Sequence, residues 1–374
     1  MFRSRLRKLN TGWRCAGIVG LAYLAALSLA LPRTAASQDI QQPAMHSWTV
    51  VSLSHVDLWY HALAIIGYEG FGPLTLYDPG YAGRIRREKE SLGVYPTELD
   101  RKVTRFRAAF ARDSTFEVLH FLPLYFASAT RGGMFAALKS LAREQGTPRA
   151  AEPASRFGTS AIAAVLTRPA QRELLAELVD ALEIEWRTFY RDYSTRLTLE
   201  HQDAIETLQR GWDESLGPGL SRYLADVYLD RGLILVSQAL GSDGRIFEGD
   251  PRNRGDNIIA VRFSPASAQL DATLHSVVRE MCFPLVRRVL RRYIANRPDR
   301  VSAERENSRS AVRCGALLLE RAAPERLVDY RKSFISAENT PGSEADELER
   351  QFESAYPLDP KMEKGLLAEI RVAG

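Results

Sequence analysis

Residues 232–239 read GLILVSQA, residues 256–264 read DNIIAVRFS, and residues 266–295 read ASAQLDATLHSVVREMCFPLVRRVLRRYIA. The first two are apolar, β-branched runs of strand length, and GLILVSQA reads as a buried strand. Between them Asp243-Gly244 signals a turn and Arg245–Glu248 is short and extended. The third stretch has helical period. At 100° per residue, Leu285, Val286, Val289, Leu290 and Tyr293 share one apolar arc of about 140°, and Arg287, Arg288, Arg291 and Arg292 fall outside it. Traced backward, His275, Val278 and Cys282 join the arc, with Arg279 and Phe283 on its edge. Pro284 removes the backbone donor that would reach Glu280, so the helix is expected to bend there. A small antiparallel sheet followed by a long helix is the core of this reading.

The flanks are helical. Downstream, helices are expected near 302–321, 324–337 and 343–355, with Asp359-Pro360 opening a last one. Upstream, residues 46–53 read as a strand. Ser54 and Asp57 then form a capping-box-like pattern before a helix. Residues 67–83 read as a Gly/Pro-rich loop. Thr97 and Asp100 open a helix with Leu99, Val103, Phe106 and Phe110 at helical spacing. Further helix is expected near 115–127, 132–144, 169–193, 198–214 and 219–230, and residues 145–158 read as a polar linker. The fold class is therefore mainly α with a small antiparallel β-sheet, an α+β plan. It divides into a helical N-terminal region over 38–230 and a sheet-and-helix region over 231–374.

Composition excludes whole classes. The chain has 374 residues, 45% hydrophobic and 26% charged, which rules out a disordered chain, a fibre or a disulfide-dense miniprotein. The formal charge of +4 is skewed by residues 1–37, which hold six basic residues and no acidic one. The remainder carries 44 basic residues against 46 acidic. No global basic field for nucleic acid exists.

Residues 1–37 have the form of a signal peptide. Arg3 to Arg14 are basic, Cys15 to Leu31 are apolar, and Ala35-Ala36-Ser37 offers small residues before Gln38. The expectation is an exported protein, periplasmic or extracellular, with no transmembrane segment in the mature chain. Cys282 and Cys314 then remain, and in an oxidising compartment two cysteines imply one disulfide.

The frame Arg279-Glu280-Met281-Cys282-Phe283, behind two strands and a valine pair, resembles the H-E-x-x-H helix of zincin metallopeptidases, with a gluzincin-like layout. In that family two histidines one turn apart bind Zn²⁺ and the glutamate activates the bound water. The resemblance covers roughly residues 231–337 and implies a degenerate scaffold. Glu280 is the remnant of the motif, while Arg279 and Phe283 stand at the two ligand positions, where neither a cation nor a phenyl ring coordinates zinc. No metal or cofactor is implied. In a gluzincin-like arrangement the helix near 302–321 lies closest, so Glu304, Glu306, Glu320 or Glu280 itself is expected to pair with the Arg279 guanidinium.

Other constellations are weaker. Asp57 and His61 share a helix face but His55 lies about 120° away, so Asp57 is read as supporting the helix start and His61 as packing. His120 sits among apolar residues as a core imidazole, and His201 in a polar helix as an exposed one. No G-x-S-x-G is present, and Gly217-Pro218-Gly219 reads as a loop rather than a phosphate cradle. The reading is an exported non-catalytic protein with a binding or assembly role in the cell envelope, its partner a protein, peptide or envelope ligand. The alternative is an active hydrolase or metallopeptidase with displaced catalytic residues.

Overall fold

Four short strands and fifteen α-helices form around one sheet in the computed structural model, which describes residues 48–69, 75–144, 152–249, 256–293, 300–335 and 345–371. The expected signal peptide lies outside the described residues. Strands β1 (Trp48–Val51), β2 (Gly232–Ser237), β3 (Arg245–Phe247) and β4 (Ile258–Arg262) run in the order β1-β2-β4-β3.

The expected antiparallel sheet is corrected to a mixed one. β1 pairs with β2 in parallel, Trp48 opposite Gly232 and Val51 opposite Leu235, and β2 pairs with β4 in parallel, Leu233 opposite Ile258 and Ser237 opposite Arg262. Only β3 and β4 are antiparallel. The reason is topological: β1 is recruited across the helices that separate it from β2, and parallel neighbours need such crossovers. Hairpin-like turn signals between β2 and β4 report only the local pairing of β3.

Alternation within the strands makes three layers. Leu235, Ile258 and Ala260 pack into one apolar cluster, whereas Ile234, Val236, Ile259 and Val261 pack into a second on the opposite face. The first face is covered by α1 (Ser54–Ile66), α2 (Tyr81–Ser91), α3 (Glu98–Arg112), α4 (Leu122–Tyr125), α5 (Arg131–Arg143), α6 (Arg156–Val165) and α7 (Pro169–Glu185). Thr97 and Asp100 close the capping box that opens α3. Helices α2 and α6 were not expected. The first begins inside the expected Gly/Pro loop and continues through an arginine-rich stretch, and the second overlaps the polar linker, residues 145–151 of which are outside the described residues.

A π-turn at Trp186–Tyr190 joins α7 to α8 (Arg191–Glu200), and a second at Trp212–Leu216 joins α9 (Gln202–Gly211) to α10 (Gly217–Leu224). Gly217-Pro218-Gly219, expected as a loop, is instead the first turn of α10, where a proline needs no backbone donor. On the other face α11 (Ser267–Tyr293) lies against α12 (Arg300–Ala322), with α13 (Leu327–Phe334), α14 (Ala345–Ala355) and α15 (Pro360–Glu369) around them. Asp359 accepts from the Lys361 amide and Pro360 starts α15.

The outer margin of β1 is occupied by a side chain. The Val50 amide donates to Gln209 Oε1 at 2.7 Å, and Gln209 Nε2 donates to the Trp48 carbonyl at 3.0 Å. Among the described residues no helix is long and apolar enough to cross a membrane.

Candidate functional site

The Arg279 side chain has no solvent exposure. Its Nη2 donates to Asp243 Oδ1 at 2.8 Å and to Glu280 Oε1, and its Nη1 donates to the Ser242 carbonyl at 3.0 Å. Arg245 completes the cluster: Nη1 donates to Asp243 Oδ2 at 2.7 Å and to the Gly244 carbonyl at 2.6 Å. Two guanidiniums and two carboxylates are thus buried together, which is how interior charge is tolerated. Burial pushes the Glu280 carboxyl above its ordinary range, against the pull of Arg279. Burial opposes the charge on Arg279, and Glu280 and Asp243 more than restore it. Gly244 is required here, because a Cβ would stand 2.7 Å from the Ala260 carbonyl and 2.9 Å from the Glu280 side chain. The Arg279 guanidinium also lies over the Phe283 ring, 5.7 Å from its centroid. Both ligand positions of the motif therefore point into one place and meet each other there.

Glu306 and Glu320 of α12 do not join this cluster. Glu306 and Glu320 are exposed, and the Glu304 side chain lies outside the described residues. Asp243, the partner not anticipated, sits in the turn that the sequence does mark. Among the described residues no three His, Cys, Asp or Glu side chains are arranged to hold a metal ion.

The expected Cys282–Cys314 disulfide is not formed. Both are buried free thiols with sulfurs 2.8 Å apart on the facing helices α11 and α12. Burial pushes the Cys282 thiol well above its ordinary range, and a hydrogen bond to Cys314 adds to this.

A cleft of about 490 Å³ adjoins the cluster at Ser242 and is bordered also by Arg262, Thr273, Ser276, Ser333 and Tyr356. It opens beside the carboxyl ends of the parallel strands β2 and β4, the usual position for ligand crevices in open sheets. Its wall is rich in hydroxyls, with one half-exposed guanidinium and one phenol, a surface suited to hydrogen-bonding ligands.

The histidines divide by role. His55 reaches the Phe126 carbonyl at 3.1 Å. His61 joins Tyr81 at 3.0 Å and Glu185 at 3.1 Å, and Lys89 reaches the same Glu185 oxygen at 2.7 Å. Burial alone would raise Glu185, but His61 and Lys89 overcome it and hold the carboxyl down at about 2. This knot ties α1, α2 and α7. Asp57 does not cap the helix start but accepts from Tyr190 Oη at 2.6 Å and from Ser237 Oγ. Burial pushes its carboxyl above the ordinary range, against these two hydrogen bonds and the nearby His61. His120 meets Tyr77 Oη at 2.8 Å, within the core. His201, expected to be exposed, is half-buried against Phe263 and 3.3 Å from Gln238. The Asp57–Ser237 contact is invisible locally, since 180 residues separate the partners.

Comparison with protein-family models, with curated proteins and with solved structures finds no match for this chain.

Proposed function

We propose that this chain is an exported, non-catalytic protein on a degenerate, gluzincin-like metallopeptidase scaffold. It uses the cleft that adjoins the Arg279 cluster at Ser242 to bind a protein, peptide or other envelope ligand. The observation that carries the reading is the engagement of Glu280. In a working site of that kind the glutamate must face a metal-bound water. Here its carboxylate is held by Arg279, whose charge stands at a ligand position and ties α11 to the Asp243 turn. The cleft then retains polar walls and loses the reacting centre.

The test is metal content and hydrolysis in the same preparation. Protein equilibrated with zinc and passed through a desalting column should carry far less than one zinc per chain, and a mixed peptide library should survive incubation with it. Stoichiometric zinc, or cleavage abolished by a chelator, overturns the reading in favour of a hydrolase with displaced ligands. Export is checked separately by intact mass of the native protein, which should begin near Gln38. A chain retaining Met1 refutes cleavage.

A further inference from the structure

A second, smaller pocket lies at the same edge of the sheet, between the ends of β1 and β2 and the helix α8. Asp57 lines it, together with Ser194, Thr198, Leu197, Ile205 and Phe263. The enclosed space is about 30 Å³, room for one or two water-sized groups and no more.

The electrostatics of this pocket differ from those of every other buried acid described above. Glu185 faces Lys89, and Asp243 and Glu280 face Arg279. Asp57 receives hydrogen bonds only from the hydroxyls of Tyr190 and Ser237, and among the described residues no Lys or Arg pairs with it. Its surroundings also present acceptors. Ser194 Oγ donates to the Arg191 carbonyl at 3.0 Å, and Thr198 Oγ1 donates to the Ser194 carbonyl at 2.9 Å. A hydroxyl has one proton, so each of these turns lone pairs outward. Tyr190 closes the π-turn between α7 and α8, and such turns recur at functional sites.

We propose that this pocket binds a primary alkylammonium group, with its charge against Asp57 and the Ser194 and Thr198 hydroxyl oxygens. Only the ammonium head occupies this space, and the alkyl chain runs outward from it past Leu197, Ile205 and Phe263. An ammonium is the size of the space, supplies three donors to the oxygens of Asp57, Ser194 and Thr198, and offsets the carboxylate charge, while Gln238 and His201, which also line the pocket, engage each other. The proposal is independent of the Arg279 cluster and of any reading of the larger cleft.

The experiment is a thermal melt of the full chain with n-butylammonium chloride, against 1-butanol and sodium chloride at equal concentration. Butylammonium should raise the melting temperature in a saturable way and the two controls should not. Asp57→Asn should weaken the butylammonium response at least tenfold. Equal responses to butylammonium and butanol, or no response, overturn the proposal. Because Asp57→Asn also alters two internal hydrogen bonds, Thr198→Lys gives an independent measure. A tethered ammonium there should raise the melting temperature and abolish the butylammonium response; a persisting response overturns the proposal. Nα-acetyllysine methylamide separates the sources of the ligand: binding comparable to butylammonium supports a peptide lysine, and binding of butylammonium alone supports a free amine.

Discussion

Arg279 on the long helix and Asp243 in the turn before β3 meet at 2.8 Å in a place closed to solvent. This contact spans 36 residues and fixes the helix against the sheet through charge. Its loss has a cost distinct from that of a surface arginine. Arg279→Ala leaves Asp243 and Glu280 buried with half of their counter-charge and should destabilise by about 3–5 kcal/mol in urea unfolding. Arg291→Ala, on the exposed face, should stay within about 0.5 kcal/mol. Equal unfolding midpoints would show that the cluster contributes nothing.

The thiols offer a second check. Cys282 and Cys314 are buried among apolar side chains and Cys282 is held in its protonated form. Alkylation of the folded, reduced protein at pH 8 should be slower on the order of 100-fold than in denaturant, because reaction waits for opening. Peptide mapping of both sites after a timed pulse measures this. Rapid labelling of either would place it at the surface.

Acid stability should carry the mark of His275. Burial pulls its pKa down to about 4, in spite of Asp271 and Asp329 nearby. The unfolded chain takes up this proton near the ordinary value of 6.5, earlier than the folded one. Stability contributed by the neutral imidazole is therefore present above pH 6.5 and lost as pH falls towards 4, by up to about 3 kcal/mol. His275→Gln should flatten the dependence of the urea midpoint over that window. An unchanged slope would remove His275 from the account.

Gly315 should resist substitution. A Cβ there would stand 2.0 Å from the Tyr330 hydroxyl oxygen and 2.6 Å from its ring, and that hydroxyl donates to the Val312 carbonyl at 2.9 Å. Gly315→Ala should cost about 1–3 kcal/mol through overpacking. Tyr330→Phe frees space at the price of one hydrogen bond. The double variant should therefore lose less than the two single losses combined, as a double-mutant cycle reads.

Much of this architecture is legible locally. Thr97 and Asp100 announce a helix start because both halves of a capping box lie within four residues. The apolar arc through Val278, Cys282, Leu285 and Val289 is a property of one helix, and all four side chains are buried. Pairing is another matter. Nothing in Trp48–Val51 states that its neighbour is Gly232–Leu235, or that the two run parallel, because period reports burial and not partner. The same limit applies to charge. The wheel places Arg279 at the edge of the core, but its partner Asp243 comes from a turn. The Asp57 pocket is built from four separate segments of chain, each unremarkable alone.

The Gln209 side chain has a consequence for crowding. A bare strand edge is an invitation to another chain, since its unpaired amides and carbonyls template further pairing. One primary amide, by giving and accepting once each along β1, impersonates the missing neighbour. The opposite margin, β3, is only three residues long and provides a poor template. Sheet-to-sheet polymerisation therefore finds no long foothold on either side, and Gln209→Ala would unmask one.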